Sequence, residues 1–311
     1  MKQPLLYRVF LLVVMLMVVR AGGLYAQQPA FGNNPFFGRN DPSKYHPGKQ
    51  PHGGAGYLDY MELTPRDEFK SNFIFLHRGI LRPQSGIGEH AHRKMEEMYF
   101  VFDRYAEFTV NGITAEIPAI GMVLSRMGDS HGIYNPTDHP VEWMNFGVSN
   151  ENQAYDAVNY NAEGDDLVDQ TIMSPPPFTW AVLSKDMLRP VERFYGGKGT
   201  VRIREVWDQE DFRSYWAYIH HYLVPPGCSI GLHRHDEMEV VYYILKGAGR
   251  GTINDATYDI MTGDALSCTL HNAIGVFNNS QENLEVIACG VSMVKGVVKN
   301  GTALGDDLIG R

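Results

Sequence analysis

Cysteine is scarce in this chain. Only Cys228, Cys268 and Cys289 occur, and all three lie in the second half. An odd count leaves at least one thiol unpaired, so a disulfide scaffold is excluded and the core must come from packing. Positive charge is also short: Lys and Arg number 27 against 36 Asp and Glu. A net charge of −9 argues against nucleic acid and against anionic membrane as partners. Long apolar runs are missing apart from Val9 to Val19, which is too short to span a bilayer comfortably. Sustained helical periodicity is missing from residue 52 onward.

The one apolar run has the form of a secretory signal. Lys2 and Arg8 precede it, and small residues then lead to Ala26. Residues 1–26 are therefore expected to be removed, which places the protein in a secreted or periplasmic setting with no membrane attachment after processing. They carry three cations (Lys2, Arg8, Arg20) and no acid, so their loss takes the charge from −9 to −9 − 3 = −12.

In place of helices the chain offers short runs rich in Val, Ile, Phe, Tyr and Thr, punctuated by Gly, Pro, Asn and Asp. Ala106–Val110 before Asn111-Gly112 is a strong hairpin signal. An all-β sandwich or small barrel follows. The chain also repeats itself. Phe75–Phe102 reappears without a gap as Tyr218–Leu245, so that His77, His90 and His92 fall on His220, His233 and His235 (233 − 90 = 143). GGAG at Gly53 faces GGKG at Gly196, and GDDL at Gly164 faces GDDL at Gly305. A repeat of this length is a duplicated domain. The expected division is a signal at 1–26, an arm at 27–51, a first unit at 52–167, a linker at 168–194 and a second unit at 195–311. The arm reads equally as disordered or as pinned to a barrel by its phenylalanines. Phe178 to Leu188 allows a short helix.

Chemistry concentrates in the first copy. His90 and His92 share one face of a strand. Glu97 opens the returning strand, and His131 comes on a later one. Three imidazoles and a carboxylate suit a divalent first-row metal with open positions. Around them stand Tyr99, on the same face as Glu97, and Arg78, Arg82 and Arg126, with no arginine at the matching places of the second copy. Tyr99, Arg82 and Arg126 are the expected catalytic groups, and the arginines suggest an anionic substrate.

G-I-G-E-H-A-H-R-K-M-E-E-M-Y-F-V from Gly86, P-A-I-G at Pro118 and H-G-I-Y-N at His131–Asn135 resemble the two motifs of the cupin superfamily. The resemblance implies tandem jelly-roll barrels, a bicupin, and assigns the metal ligands to His90, His92, Glu97 and His131. Arg104 stands where the family has a turn glycine. In the second copy Val240 and Ile274 replace Glu97 and His131, so that site is read as degraded, with Glu239 and His271 as the residues that could rescue it beside His233 and His235. The implied cofactor is one divalent transition metal (Fe, Mn, Zn or Ni). The implied partner is a small oxygenated substrate, anionic or sugar-derived, and a homo-oligomer is allowed. Dioxygenase or decarboxylase chemistry, a Lewis-acid isomerase or lyase, and a non-catalytic binding role all stay open, because this fold hosts many reactions.

Overall fold

The computed structural model describes residues 35–160 and 171–311. The signal segment, Phe31 and the first GDDL lie outside them. The described chain is almost wholly β, with helical turns of three residues only. No helix among the described residues is long and apolar enough to cross a membrane.

Four sheets make two barrels. In the first, a sheet built on Met95–Val101, Val141–Ser149, Phe73–Leu81 and Tyr57–Glu62 faces one built on Ser85–Ala91, Ser130–Asn135, Tyr105–Val110 and Ile113–Pro118. The second barrel repeats this with Met238–Lys246, Leu284–Ser292, Trp216–Val224 and Thr200–Trp207 against Ser229–Arg234, Ala273–Phe277, Ala248–Ile253 and Ala256–Met261. Both cores follow from alternation: inward apolar side chains of the paired sheets meet, as Leu81, Ile87, Phe108, Ile117 and Ile133 do in the first barrel.

Local turn chemistry behaves as its residues dictate. Asn111 and Gly112 both take positive φ (51° and 74°) between Tyr105–Val110 and Ile113–Pro118, as a tight hairpin turn requires. Arg104 also takes positive φ (54°), like its counterpart Gly247 (92°), so the missing glycine is replaced by a strained arginine rather than a different turn.

The repeat is longer in space than in sequence. Trp180–Val182 pairs with Gly121–Val123 of the first barrel, while Phe37–Gly38 pairs with Ala265–Leu266 of the second. The offset is again 143 (180 − 37 and 266 − 123). Each repeat thus lends its opening strand to the other barrel. Residues 46–49, within the segment read as an arm, and 189–192, within the segment read as a linker, pair with the strands that follow them. The stretch from Phe178 forms this short strand and a 3-10 turn at Lys185–Met187, not an α-helix.

The barrels share one apolar core, in which Met98, Phe100 and Phe146 join Trp216, Ile219 and Val241. Two buried carboxylates tie its edges. Glu96 accepts from the backbone N–H groups of Arg213 and Ser214 (2.9 and 2.8 Å). Glu239, its counterpart, accepts from those of Lys70 and Ser71 (3.0 and 2.8 Å) and of Leu270 (3.1 Å). The two ties are related by the same offset, since 96, 213 and 214 are answered by 239, 70 and 71.

Candidate metal centre

His90 lies on Ser85–Ala91, and His131 pairs with it directly across from Ser130–Asn135. Glu97 projects from the facing sheet, and His92 follows the end of its own strand. All four are buried, and their ligand atoms lie within 4.8 Å of one another. Alternation decides between the adjacent glutamates: Glu97 points into the barrel, and Glu96 points to the partner barrel.

The hydrogen bonds leave the right atoms free. His90 Nδ1 donates to the Gly88 carbonyl (2.8 Å), and His92 Nδ1 donates to the Asp156 carbonyl. Each Nε2 is then a lone-pair donor, and both are buried without a hydrogen-bond partner. Glu97 places Oε1 at 3.3 Å from His92 Nε2 and Oε2 at 3.2 Å from His131 Nε2. Burial pushes the Glu97 carboxyl up, but His92 and His131 outweigh it and hold it well below the usual carboxylate range. Burial, then the nearby His131, keeps His90 well below the ordinary imidazole value. Burial pushes His92 down, but Glu97 outweighs it and raises it above the ordinary imidazole value. An ionised carboxylate among three imidazoles is a donor set for one divalent transition metal.

The site closes one side of a cavity of about 630 Å³, which reaches solvent past Lys49, His52, Arg66 and Tyr155. Its sheet wall carries polar residues in register. Asn145 stands between His77 and Tyr99, with Glu62 next to His77. Burial, and then Glu97, raise the Tyr99 phenol well above its usual value, so it stays protonated. Burial also lowers His77 to about 4 and raises Glu62 to about 7.

Of the expected catalytic groups, only Tyr99 lines this cavity. Arg82 lies outside, in a two-pronged pair with Asp59 (2.6 and 2.7 Å). Arg126 reaches toward the second barrel, donating to the Asp211 carbonyl (2.7 Å) and to Thr179 Oγ1 (2.8 Å). Arg78 is buried, donates to Tyr243 Oη (3.1 Å) and packs on Phe102. Proximity in sequence misled here, because their strand faces and turns carry all three arginines away from the metal side.

Sequence reasoning also missed several residues. His52 stacks on His90 with ring centres 3.8 Å apart and planes at 7°. Its Nδ1 meets Asn159 Oδ1 (2.8 Å) and its Nε2 meets Tyr155 Oη (3.1 Å). Asp156 holds His92 through its carbonyl and the turn at Arg93 and Lys94 through its carboxylate. The offset of 143 carries the missing signal. His52, Trp143 and Asn145 become Tyr195, Val286 and Ala288 in the copy without a full ligand set, whereas His77 and Tyr99 persist as His220 and Tyr242.

In the second barrel, Val240 and Ile274 are fully buried and apolar. His233 Nε2 faces Tyr242 Oη (3.2 Å), and Tyr195 stacks on His233 (3.8 Å). Glu239 is engaged between the barrels. His271 is exposed, beside Asp236 (3.5 Å). Neither completes a metal set, and the four-residue set of the first barrel is the group found among the described residues.

Comparison with known proteins agrees with this architecture. A cupin domain family matches residues 220–290, within the barrel that lacks the ligands. Over 98 residues the chain is 29% identical to an oxalate-binding protein of Thermotoga maritima, covering 32% of this chain and 81% of that one. Oxalate decarboxylase of Lactobacillus farciminis superposes with a TM-score of 0.58 at 16% identity, over 89% of this chain and 90% of that one. Vicilin of Corylus avellana gives 0.60 at 11%, over 84% and 87%. AerE of Microcystis aeruginosa gives 0.54 at 14%, over 83% and 99%. These structural likenesses carry the fold alone, shared as it is by proteins of such different names. A cupin domain is thus matched at residues 220–290, and the chain as a whole has the tandem two-barrel fold of these structures.

Proposed function

We propose that the protein is an exported, metal-dependent bicupin enzyme that acts on a small oxygenated anion through one metal in the first barrel. The supporting observation is the buried cluster of His90, His92, Glu97 and His131, of which His90 and Glu97 line a cavity open to solvent. His90, His92, Glu97 and His131 would hold the ion, and the adjoining cavity would let a substrate reach it, which favours turnover over a purely structural metal. When bound, the ion supplies Lewis acidity, and redox capacity if it is iron or manganese. The chain's own groups do the rest. Glu97 offsets the ion's charge, His52 and Asp156 hold the ligand rings, and Tyr99 keeps a proton beside Glu97. The 29% identity to an oxalate-binding protein supports a carboxylate ligand, and we read the reaction as of the decarboxylase or dioxygenase type.

Elemental analysis of native protein tests the first half, with close to one transition-metal ion per chain expected. The metal-loaded protein is then offered small oxyacids while CO2 release and O2 uptake are followed, with Glu97→Gln as control. A protein that neither holds nor accepts a metal overturns the reading. Turnover-free, metal-dependent binding would make it a binding protein instead. Export is tested by sequencing the mature N-terminus, which is expected to begin at Gln27.

A further inference from the structure

The cavity is much larger than a two-carbon diacid needs, and two of its wall positions carry hydrogen-bonding side chains only in the copy that has kept the metal ligands. Trp143 and Asn145 lie on one face of Val141–Ser149, both turned to the cavity. In the pairing register Gly147 stands opposite Glu97, and Asn145 opposite Tyr99. Asn145 is therefore two residues from the Glu97 row and Trp143 four, roughly 7 and 13 Å along the strand. Trp143 is 2% exposed and Asn145 5%. The indole Nε1 is buried without a hydrogen-bond partner among the described residues, and the Asn145 amide sits within reach of the His77 ring and the Tyr99 phenol. A buried donor left idle on a cavity wall, beside an amide that faces the same space, is a built-in demand for a ligand or water. The second barrel supplies an internal control: where its ligands became Val240 and Ile274, these wall residues became Val286 and Ala288. The conserved pair, His77 with His220 and Tyr99 with Tyr242, shows that the barrel itself does not require the polar wall to change.

We propose that Trp143 and Asn145 are specificity-determining residues that grip the far end of a polyhydroxy carboxylate, a sugar-acid-like substrate whose carboxylate end reaches the metal. The inference rests on the metal-dependent reading above and narrows its substrate class. A hydroxyl in the middle of the carbon chain meets the Asn145 amide, and one at its far end meets the Trp143 N–H. The rings of Tyr60 and Phe75 face the apolar side of the carbon chain, and Lys49 and Arg66 at the mouth favour an anion. Oxalate is too short to touch Trp143.

The test is calorimetric titration of the zinc-loaded full chain with D-gluconate and with oxalate, for wild type, Trp143→Phe and Asn145→Ala. Wild type is expected to bind gluconate more tightly than oxalate. Each substitution should weaken gluconate about five-fold or more, the loss of one neutral hydrogen bond, and leave oxalate within two-fold. Zinc stoichiometry near one verifies that the variants keep the site. A second readout needs no variant: the indole N–H resonance of Trp143, distinguished from those of Trp180, Trp207 and Trp216, should shift with gluconate and stay put with oxalate. Oxalate binding more tightly than gluconate, gluconate affinity left within two-fold by both substitutions, or an unmoved Trp143 resonance at saturation overturns the inference alone. A zinc-loaded protein that binds neither acid overturns the metal-dependent reading, and this inference with it.

Discussion

At the scale of single residues, two adjacent glutamates do unrelated work. Glu97 faces the imidazoles, and Glu96 faces the other barrel's backbone. Glu97→Gln is expected to abolish stable metal retention with little change in the metal-free melting temperature. Glu96→Gln should keep one ion per chain but lose about 1–3 kcal/mol of stability, because an amide presents one acceptor oxygen where two were in use. Paired metal analysis and thermal melts check this, and equal metal loss in both variants would refute the register. His235 is a second instructive residue. It is 3% exposed, both its ring nitrogens lack partners, and burial lowers its pKa to about 4. The unfolded chain takes up a proton near 6.5, so this group's stabilisation is fully present above that pH and falls as the pH drops toward about 4. His235→Leu should therefore stabilise the protein at pH 8 by about 1 kcal/mol and by about 2 kcal/mol more at pH 5. Denaturant melts at the two pH values decide it; a gain independent of pH would mean the ring is charged or solvated in the folded state.

At the scale of elements, the turn at Arg104 is the clearest misfit between residue and backbone. Its φ of 54° matches the role of Gly247 rather than the preference of an arginine. The side chain is exposed, with only a loose contact to Asp103 at 3.7 Å. Arg104→Gly should raise stability by about 0.5–1 kcal/mol, the relief of left-handed strain less the extra freedom glycine brings to the unfolded chain. A melting temperature that falls would show that Arg104 makes a contact worth more than the strain. The opening strands teach a different lesson. Phe37–Gly38 and Trp180–Val182 are too short and too ordinary in composition to announce themselves. They are strands because an exposed edge of the opposite barrel is there to receive them.

At the scale of the whole molecule, one barrel keeps the chemistry and the other keeps the shape. His233 Nδ1 still donates to the Gly231 carbonyl at 2.8 Å, as His90 Nδ1 does to Gly88, so the first histidine of the second pair remains aimed as its counterpart is. Val240→Glu together with Ile274→His is expected to raise metal stoichiometry from about one to about two per chain, while neither single change does so. In chelator the double variant should melt below wild type, because a carboxylate is buried without a counter-ion, and metal should restore it. Calorimetric titration of the three variants checks this. Strong binding to Ile274→His alone would mean that another carboxylate reaches the second site.

What the sequence by itself determined is what rests on short range and on repetition. Strand periodicity, the Asn111-Gly112 turn and the ungapped offset of 143 specify two β-barrels. His-x-His followed by Glu five residues later places three ligands on a hairpin, where alternation alone sets their faces. His131 was legible because its motif repeats the family's spacing. Only the tertiary structure decided the rest. The exchange of opening strands, the reciprocal ties of Glu96 and Glu239, the removal of Arg82 and Arg126 from the site, and the convergence of His52, Trp143 and Asn145 on the cavity all depend on pairings between residues tens to hundreds of positions apart. No local pattern encodes such contacts, since they exist only once the sheets have closed and the two cores have fused across a common face.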